Sequence, residues 1–267
     1  MKIRFIGFAA FGTFQGHATN IMDYRTRLYE RYLSTHFGAV NRYAFQTDYG
    51  TLEGYFRLNY LKRLPEDKSA RIVDIGCGMG QFLIFLQANG YKNHVGIDVS
   101  EEAVAYCVSH GLHAEKQHAL AHLAGHPNTY DAIVMNDLIE HFTKPEMFDL
   151  VGACYEALRP NGVVLIKTVN AANPILGTHS MAMDLTHELI LSEESLAQLL
   201  NVFAFQDVKV FSLNIYTKRY NPIHWLARCL SGCVNLLWRS LYTLYGRPGT
   251  RCFGKNILAV GRKPESA

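Results

Sequence analysis

The stretch that decides the fold runs Val73-Asp74-Ile75-Gly76-Cys77-Gly78-Met79-Gly80. Arg71–Ile75 is β-branched and reads as a strand, and Gly80–Asn89, with Phe82, Leu83, Phe85 and Leu86, reads as a helix. Glycines at such a turn let the backbone approach a ligand closely, and the helix beyond presents unpaired N–H groups. An ordinary tight turn and a NAD-binding loop are the other readings of these glycines. Outward from this point, strand and helix signals alternate. His94–Asp98 is a strand and Glu101–His110 a helix, opened by Ser100 as N-cap with acidic residues in its first turn. Further strands are expected at Ala132–Met135, Gly162–Thr168, Val208–Leu213 and Asn256–Gly261, and helices at Glu146–Leu158 and Glu193–Leu200. Such alternation means an α/β fold: a mostly parallel sheet with helices on both faces.

Residues 20 to 62 carry Tyr24, Leu28 and Tyr32, then Tyr55, Leu58 and Leu61, at helical spacing, and Pro65-Glu66-Asp67 ends the run. The expected organisation is therefore a helical cap (1–66), an α/β core (67–215), an amphipathic basic insertion (216–254), and a last strand with its tail (255–267). With 267 residues, 49% hydrophobic and 18% charged, the chain can bury one large core. Its six cysteines form no CxxC pair and read as reduced thiols of a cytosolic protein. Met1 to Phe14 is apolar around Lys2 and Arg4, but lacks a small-residue cleavage site and is too short to span a bilayer.

Two strand ends narrow the chemistry. Asp98 lies 24 residues after Asp74, where an acid can accept hydrogen bonds from both hydroxyls of a ribose. Asn136 and Asp137 end the fourth strand, at the crevice where open α/β sheets bind ligands. The wording VDIGCGMGQF … VGIDVS … YDAIVMNDLIEHF … LRPNGVVLIKT resembles class I, Rossmann-like methyltransferases over roughly residues 70 to 215. That resemblance implies a seven-stranded sheet with an antiparallel last strand, and S-adenosylmethionine as cofactor. It implies cofactor contacts from Asp74, Gly76, Cys77, Gly78, Asp98, Val99 and Asn136, with Gly76 and Gly78 lining the methionine part, Asp98 holding the ribose and Asn136 closing the site. Where close relatives place an acid against the adenine, this chain has Gln117-His118-Ala119. His118 and Ala119 are the candidates there, with His118 stacked on the ring or lying at its edge.

A second constellation is Asp137-Leu138-Ile139-Glu140-His141, joined by the distant His187 in Thr186-His187-Glu188. One turn after the strand can aim Asp137, Glu140 and His141 into a single cleft. The pattern resembles the E-x-x-E-H of ubiquinone-pathway and small-RNA 3′-terminal O-methyltransferases, with Asp137 in place of the first Glu. By that resemblance Asp137, Glu140, His141 and His187 are metal ligands, and oxygen with imidazole suits Mg²⁺ or Mn²⁺. An aliphatic hydroxyl is a poor nucleophile, so methylating one needs a base, a metal or both. His187 and His141 are the candidate catalytic residues; the competing expectation is that Glu140 and His141 only cap and brace the loop. His110, His113, His122 and His126 read as solvated surface.

From Tyr216 onward nine Lys/Arg face only Glu265, so this segment carries +8 on a body of −5. Within Pro222–Tyr245, Ile223, Leu226, Leu230, Cys233, Leu237, Leu241 and Leu244 form an apolar stripe, with Arg228, Ser231, Asn235 and Arg239 on a narrower polar one. Arg228 and Arg239 argue against a spanning helix, since a charge at the bilayer centre costs at least ~2.5–3.5 kcal/mol. Trp225 and Trp238 suit a helix lying in a membrane interface; cover for the protein's own core, or for a dimer partner, is the other reading.

The flanks RLYERYLSTHFG, YFRLNYLKRLPEDKSA and DLTHELILSEESL resemble bacterial surface-polysaccharide methyltransferases. This implies O-methylation of a sugar hydroxyl on a lipid-linked glycan, in the cytoplasm or on the inner face of the cell membrane. O-methylation of a polyprenylated phenol in quinone biosynthesis is the alternative acceptor, and an inactive adaptor of the same fold the alternative to an enzyme. Nucleic acid is an unfavoured partner, because the basic tail is apolar and carries no RNA-binding module.

Overall fold

The computed structural model describes Arg25, Leu28 and residues 49–215 and 221–265. The apolar start, Tyr24, Tyr32 and most of the expected cap lie outside those residues.

The core follows from two hydrophobic faces on one sheet. Among the described residues there are seven strands: β1 (Arg71–Ile75), β2 (Asn93–Asp98), β3 (Ala114–Lys116), β4 (Tyr130–Asn136), β5 (Leu158–Val169), β6 (Gln206–Ser212) and β7 (Asn256–Arg262). Their order is β3-β2-β1-β4-β5-β7-β6. The pairs among β1 to β5 are parallel, and β7 runs antiparallel to both β5 and β6. Side chains alternate with period two. Val73, Ile75, Ile133, Met135, Val164 and Ile166 join one buried cluster; Ile72, Ala132, Val134, Val163 and Leu165 join another on the opposite face.

Helices α1 (Tyr49–Asn59) and α2 (Gln81–Ala88) supply Phe56, Phe82 and Phe85 to the second face. The first face is covered by α4 (Ala119–Ala124), α5 (Lys144–Ala157) and α7 (Glu193–Val202), while α3 (Glu101–Ser109) closes the β2–β3 edge. A short helix α6 (Gly177–Ala182) follows β5, and α8 (Pro222–Leu244) lies between β6 and β7. β3, α4 and α6 are too short to give a sequence periodicity, and none was expected.

Two expectations need correction. The face of α1 that meets the core is set by Phe56, followed by Tyr60 and Leu64 beyond the helix, whereas Leu58 is exposed. Tyr55 and Leu61 pack only at its margin, so the inward face is displaced by one residue. His122 is buried, not solvated: its ring nitrogens meet Gln117 Oε1 at 2.8 Å and the Tyr130 hydroxyl at 2.6 Å, which offsets the cost of burying it.

Candidate active site

The strand order reverses between β1 and β4, so the loops after these strands diverge and leave a crevice. The N–H groups of Gly76 and Cys77 donate to the Ile97 carbonyl at 2.7 and 3.1 Å, tying the glycine turn to the end of β2. Gly76 has φ +72°, and a Cβ there would sit 2.8 Å from Leu138 Cδ1. Glycine thus lets the loop after β4 close onto the turn. At Gly78, φ +51°, an added Cβ would meet nothing within 4 Å, so this part of the turn faces open space.

Asp98 accepts the Ser100 N–H on Oδ1 at 2.8 Å and the Gly78 N–H on Oδ2 at 2.9 Å. An ionised carboxylate offers about four acceptor positions, so two remain for a pair of ribose hydroxyls. Burial raises its pKa, and these N–H groups counter the rise. The Gln117 N–H donates to the Asp98 carbonyl at 3.0 Å, bringing exposed His118 and buried Ala119 to the edge that also carries exposed Val99.

Asn136 ends β4 one residue beyond the Met135–Ile75 pairing. The hydroxyl of Tyr60, fully buried, donates to its Oδ1 at 2.6 Å. That bond orients the amide, and Asn136 Nδ2 is left buried with no hydrogen-bond partner. Asp74 Oδ1 is buried and unpartnered likewise. Desolvation, then the charge of Asp98, pushes the Asp74 pKa well above the ordinary carboxylate range. The Asn136 amide faces this carboxyl and counters part of the rise.

Beyond β4 the chain turns at Asp137, which adopts φ +51°. A 3₁₀ turn, Ile139–His141, then buries Glu140 and His141. The Glu140 carbonyl accepts the N–H groups of Glu188 and Leu189 at 2.8 and 3.2 Å, which brings His187 alongside. Ligand atoms of Glu140, His141 and His187 lie within 4.8 Å of one another. Glu140 Oε2 accepts the Thr168 hydroxyl at 2.9 Å, and its Oε1 is buried without a partner. Burial, then the Asp137 charge, pushes its pKa up to about 8.

Both histidines are held through Nδ1. Thr186 gives its single hydroxyl proton to Asp184 at 2.6 Å, so His141 Nδ1 donates to Thr186 Oγ1 at 2.8 Å. His187 Nδ1 donates to the Ser180 carbonyl at 2.8 Å. In His141, kept neutral by its lowered pKa, Nε2 therefore carries the lone pair, while His187 Nε2 faces the Asp184 carboxylate at 4.0 Å. Burial first, and His187 next, pull the His141 pKa down to about 4.

Three of the four expected metal ligands are thus assembled, and Asp137 is not among them. It pairs with Lys167, whose side chain is 13% exposed. Burial penalises that ammonium, but Asp137, Tyr55 and Glu140 outweigh it and hold its pKa above the usual lysine value. Tyr60, Lys167 and Arg25 went unnoticed in the sequence. Arg25 reaches the His141 carbonyl at 2.6 Å and Glu146 Oε1 at 2.7 Å, bracing the 3₁₀ turn. The nearest signal was the helical spacing around Tyr24 and Leu28, which says nothing about partners more than a hundred residues away.

Comparison with known proteins fits this arrangement. Ubiquinone biosynthesis O-methyltransferases of Azoarcus sp. (strain BH72) and Aromatoleum aromaticum are each 33% identical, over 106 and 120 residues. These alignments cover 38% and 43% of this chain, and 44% and 50% of the relatives, so the chain spans about half the length of the curated relatives it matches. A SAM-dependent methyltransferase from Archaeoglobus fulgidus superposes with a TM-score of 0.62 at 18% identity, covering 85% of this chain and all of that one. Phosphoethanolamine N-methyltransferase 2 of Haemonchus contortus, solved with S-adenosyl-L-methionine, gives 0.55 at 17% identity, covering 88% of this chain and 60% of that one. At such identities the likeness shows the fold. Residues 51–210, more than half the chain and the whole of the crevice just described, match the methyltransferase-domain family, and the chain belongs to it.

Proposed function

We propose that this chain is an S-adenosylmethionine-dependent O-methyltransferase whose acceptor is a phenolic hydroxyl of the quinone-biosynthetic type. The observation that carries the reading is the Glu140–His141–His187 cluster, whose ligand atoms lie within 4.8 Å of one another and which holds an unpartnered carboxylate oxygen. In the reaction the acceptor oxygen attacks the sulfonium methyl. The new O–C bond forms as the S–C bond breaks, the electron pair passes to sulfur, and the hydroxyl proton leaves to His187 Nε2. His187 is favoured over His141 as base because the His141 pKa lies too low to hold a proton near neutrality.

Glu140, His141 and His187 also fit a divalent cation such as Mg²⁺ or Mn²⁺, which would favour the ionised acceptor oxygen and the Glu140 carboxylate together. Asp137, paired with Lys167, would stand outside that ligand set.

Two points support a phenol over the sugar hydroxyl expected from the flanking stretches. The curated relatives carry ubiquinone-pathway names. A phenol also ionises near pKa ~10, within reach of an imidazole base, whereas an aliphatic alcohol lies far above it. The test is product analysis with labelled methyl donor, offering a prenylated phenol and a lipid-linked glycan in parallel. Label in the phenol alone supports the proposal, and label in the glycan alone overturns it. No calorimetric binding of S-adenosylmethionine would favour an inactive adaptor. Turnover lost in EDTA and regained with Mn²⁺ supports the cation, while full turnover in chelator leaves the cluster a base alone.

A further inference from the structure

The helix α8 lies outside the segment that matches the family, and it is turned the wrong way for a helix of a closed globule. No residue of Pro222–Leu244 is buried. The half-buried side is formed by His224, Ala227, Ser231, Asn235, Trp238, Leu241 and Tyr242. The opposite side presents Ile223, Leu226, Leu230, Val234, Leu237 and Leu244, all exposed, from 43% at Val234 to 82% at Leu244. A surface helix ordinarily turns its apolar stripe to the core and its polar stripe to water. Here the order is largely reversed: Ser231 and Asn235 face inward and, Leu241 apart, the leucines face outward. The C-terminal end is anchored in that orientation, because the Tyr242 ring meets Phe253 edge-on at 4.7 Å and its hydroxyl donates to the Ala172 carbonyl.

We propose that this outward face docks the protein on an anionic lipid surface, the helix lying in the plane of the interface. Charge selects that occupant. Between Asn221 and Glu265 there are seven Lys/Arg and a single acid, Glu265, and none of the acids lies in α8. Such a segment repels a second copy of itself and is drawn to acidic headgroups within about a Debye length. The helix does not cross: among the described residues none is long and apolar enough to span a membrane. Trp225, 65% exposed, provides the interfacial anchor beside the leucines.

The chain has two tryptophans, Trp225 and Trp238, and both sit on α8, so its indole emission reports on this helix alone. The experiment is flotation of the full chain with phosphatidylcholine vesicles, with and without phosphatidylglycerol, while tryptophan emission is followed. The wild type should float with the anionic vesicles, blue-shift on binding, and release in high salt. Leu230→Glu with Leu237→Glu changes only exposed side chains, so folding should persist; flotation should fall by about tenfold or more. Unchanged circular dichroism in that variant secures the comparison. Absence of wild-type flotation overturns the proposal. So does flotation indifferent to the two glutamates, or a dimer that the same variant dissolves while vesicles bind neither protein.

Discussion

Asn136 shows how one residue can be specified by groups far apart in sequence. Its carbonyl oxygen is taken by Tyr60, which turns its N–H₂ toward Asp74. Tyr60→Phe deletes one oxygen and leaves the buried Asn136 oxygen unpaired, at a cost of about 1–3 kcal/mol. Both thermal stability and S-adenosylmethionine affinity should fall, because the amide loses the bond that orients it. Calorimetric titration checks the second effect; unchanged affinity would show that the amide needs no such orientation. Asp98→Ala removes up to two hydrogen bonds to a charged group and should weaken S-adenosylmethionine by ~2–4 kcal/mol with the fold retained. The placement of Asp98 and Asn136 at strand ends, and of Gly76 and Gly78 in the turn beyond β1, is legible in the sequence because a strand end is a local signal. Tyr60 and Lys167 are not, because nothing near them in sequence marks their partners.

At the scale of elements, the segment from Asp137 to Glu146 depends on groups outside itself. Asp137 holds a left-handed conformation, which Asp tolerates better than most residues, and its pairing with Lys167 helps to fix it there. Arg25 adds to this by joining the end of the 3₁₀ turn to the start of α5. Its hydrogen bonding, helped by that of Thr143, also holds the Glu146 carboxyl down at about 2. Arg25→Ala should loosen this segment, costing ~1–2 kcal/mol in urea denaturation after allowance for the exposure of Glu146. S-adenosylmethionine affinity should stay unchanged and turnover should drop, because the loosened turn carries His141 and Glu140 but not the glycine loop. A parallel loss of cofactor affinity would refute that division of labour. The helix α8 marks the limit of periodicity at this scale. Its apolar stripe was legible in spacing, but spacing gives a face and not the direction in which the face is turned.

For the whole molecule, the buried acids make stability depend on pH in a direction opposite to that of most proteins. Glu140 is shifted upward, from an ordinary value of 4.5 to about 8. Between those values the folded state holds a proton that the unfolded state has lost, so stability contributed by the protonated carboxyl drains away as pH rises. Asp74 and Asp98 are raised as well and act in the same sense. His141 opposes them, but only below the unfolded histidine value of 6.5, because its folded pKa is about 4. The window from pH 6.5 to 8 therefore isolates the acids. There Glu140 alone should remove roughly 1.5 kcal/mol, which lowers the melting temperature by a few degrees in a protein of this size. Glu140→Gln carries no ionisable group and should flatten that part of the profile, gaining on the wild type as pH increases. Mn²⁺ should flatten the wild-type profile too, by pairing with the ionised carboxylate, and leave the variant less affected. Melting curves at pH 6.5, 7.2 and 8 with and without Mn²⁺ decide the matter. A wild type that gains stability over this range, or a variant whose slope equals the wild type's, would show that Glu140 is already ionised in the ligand-free fold.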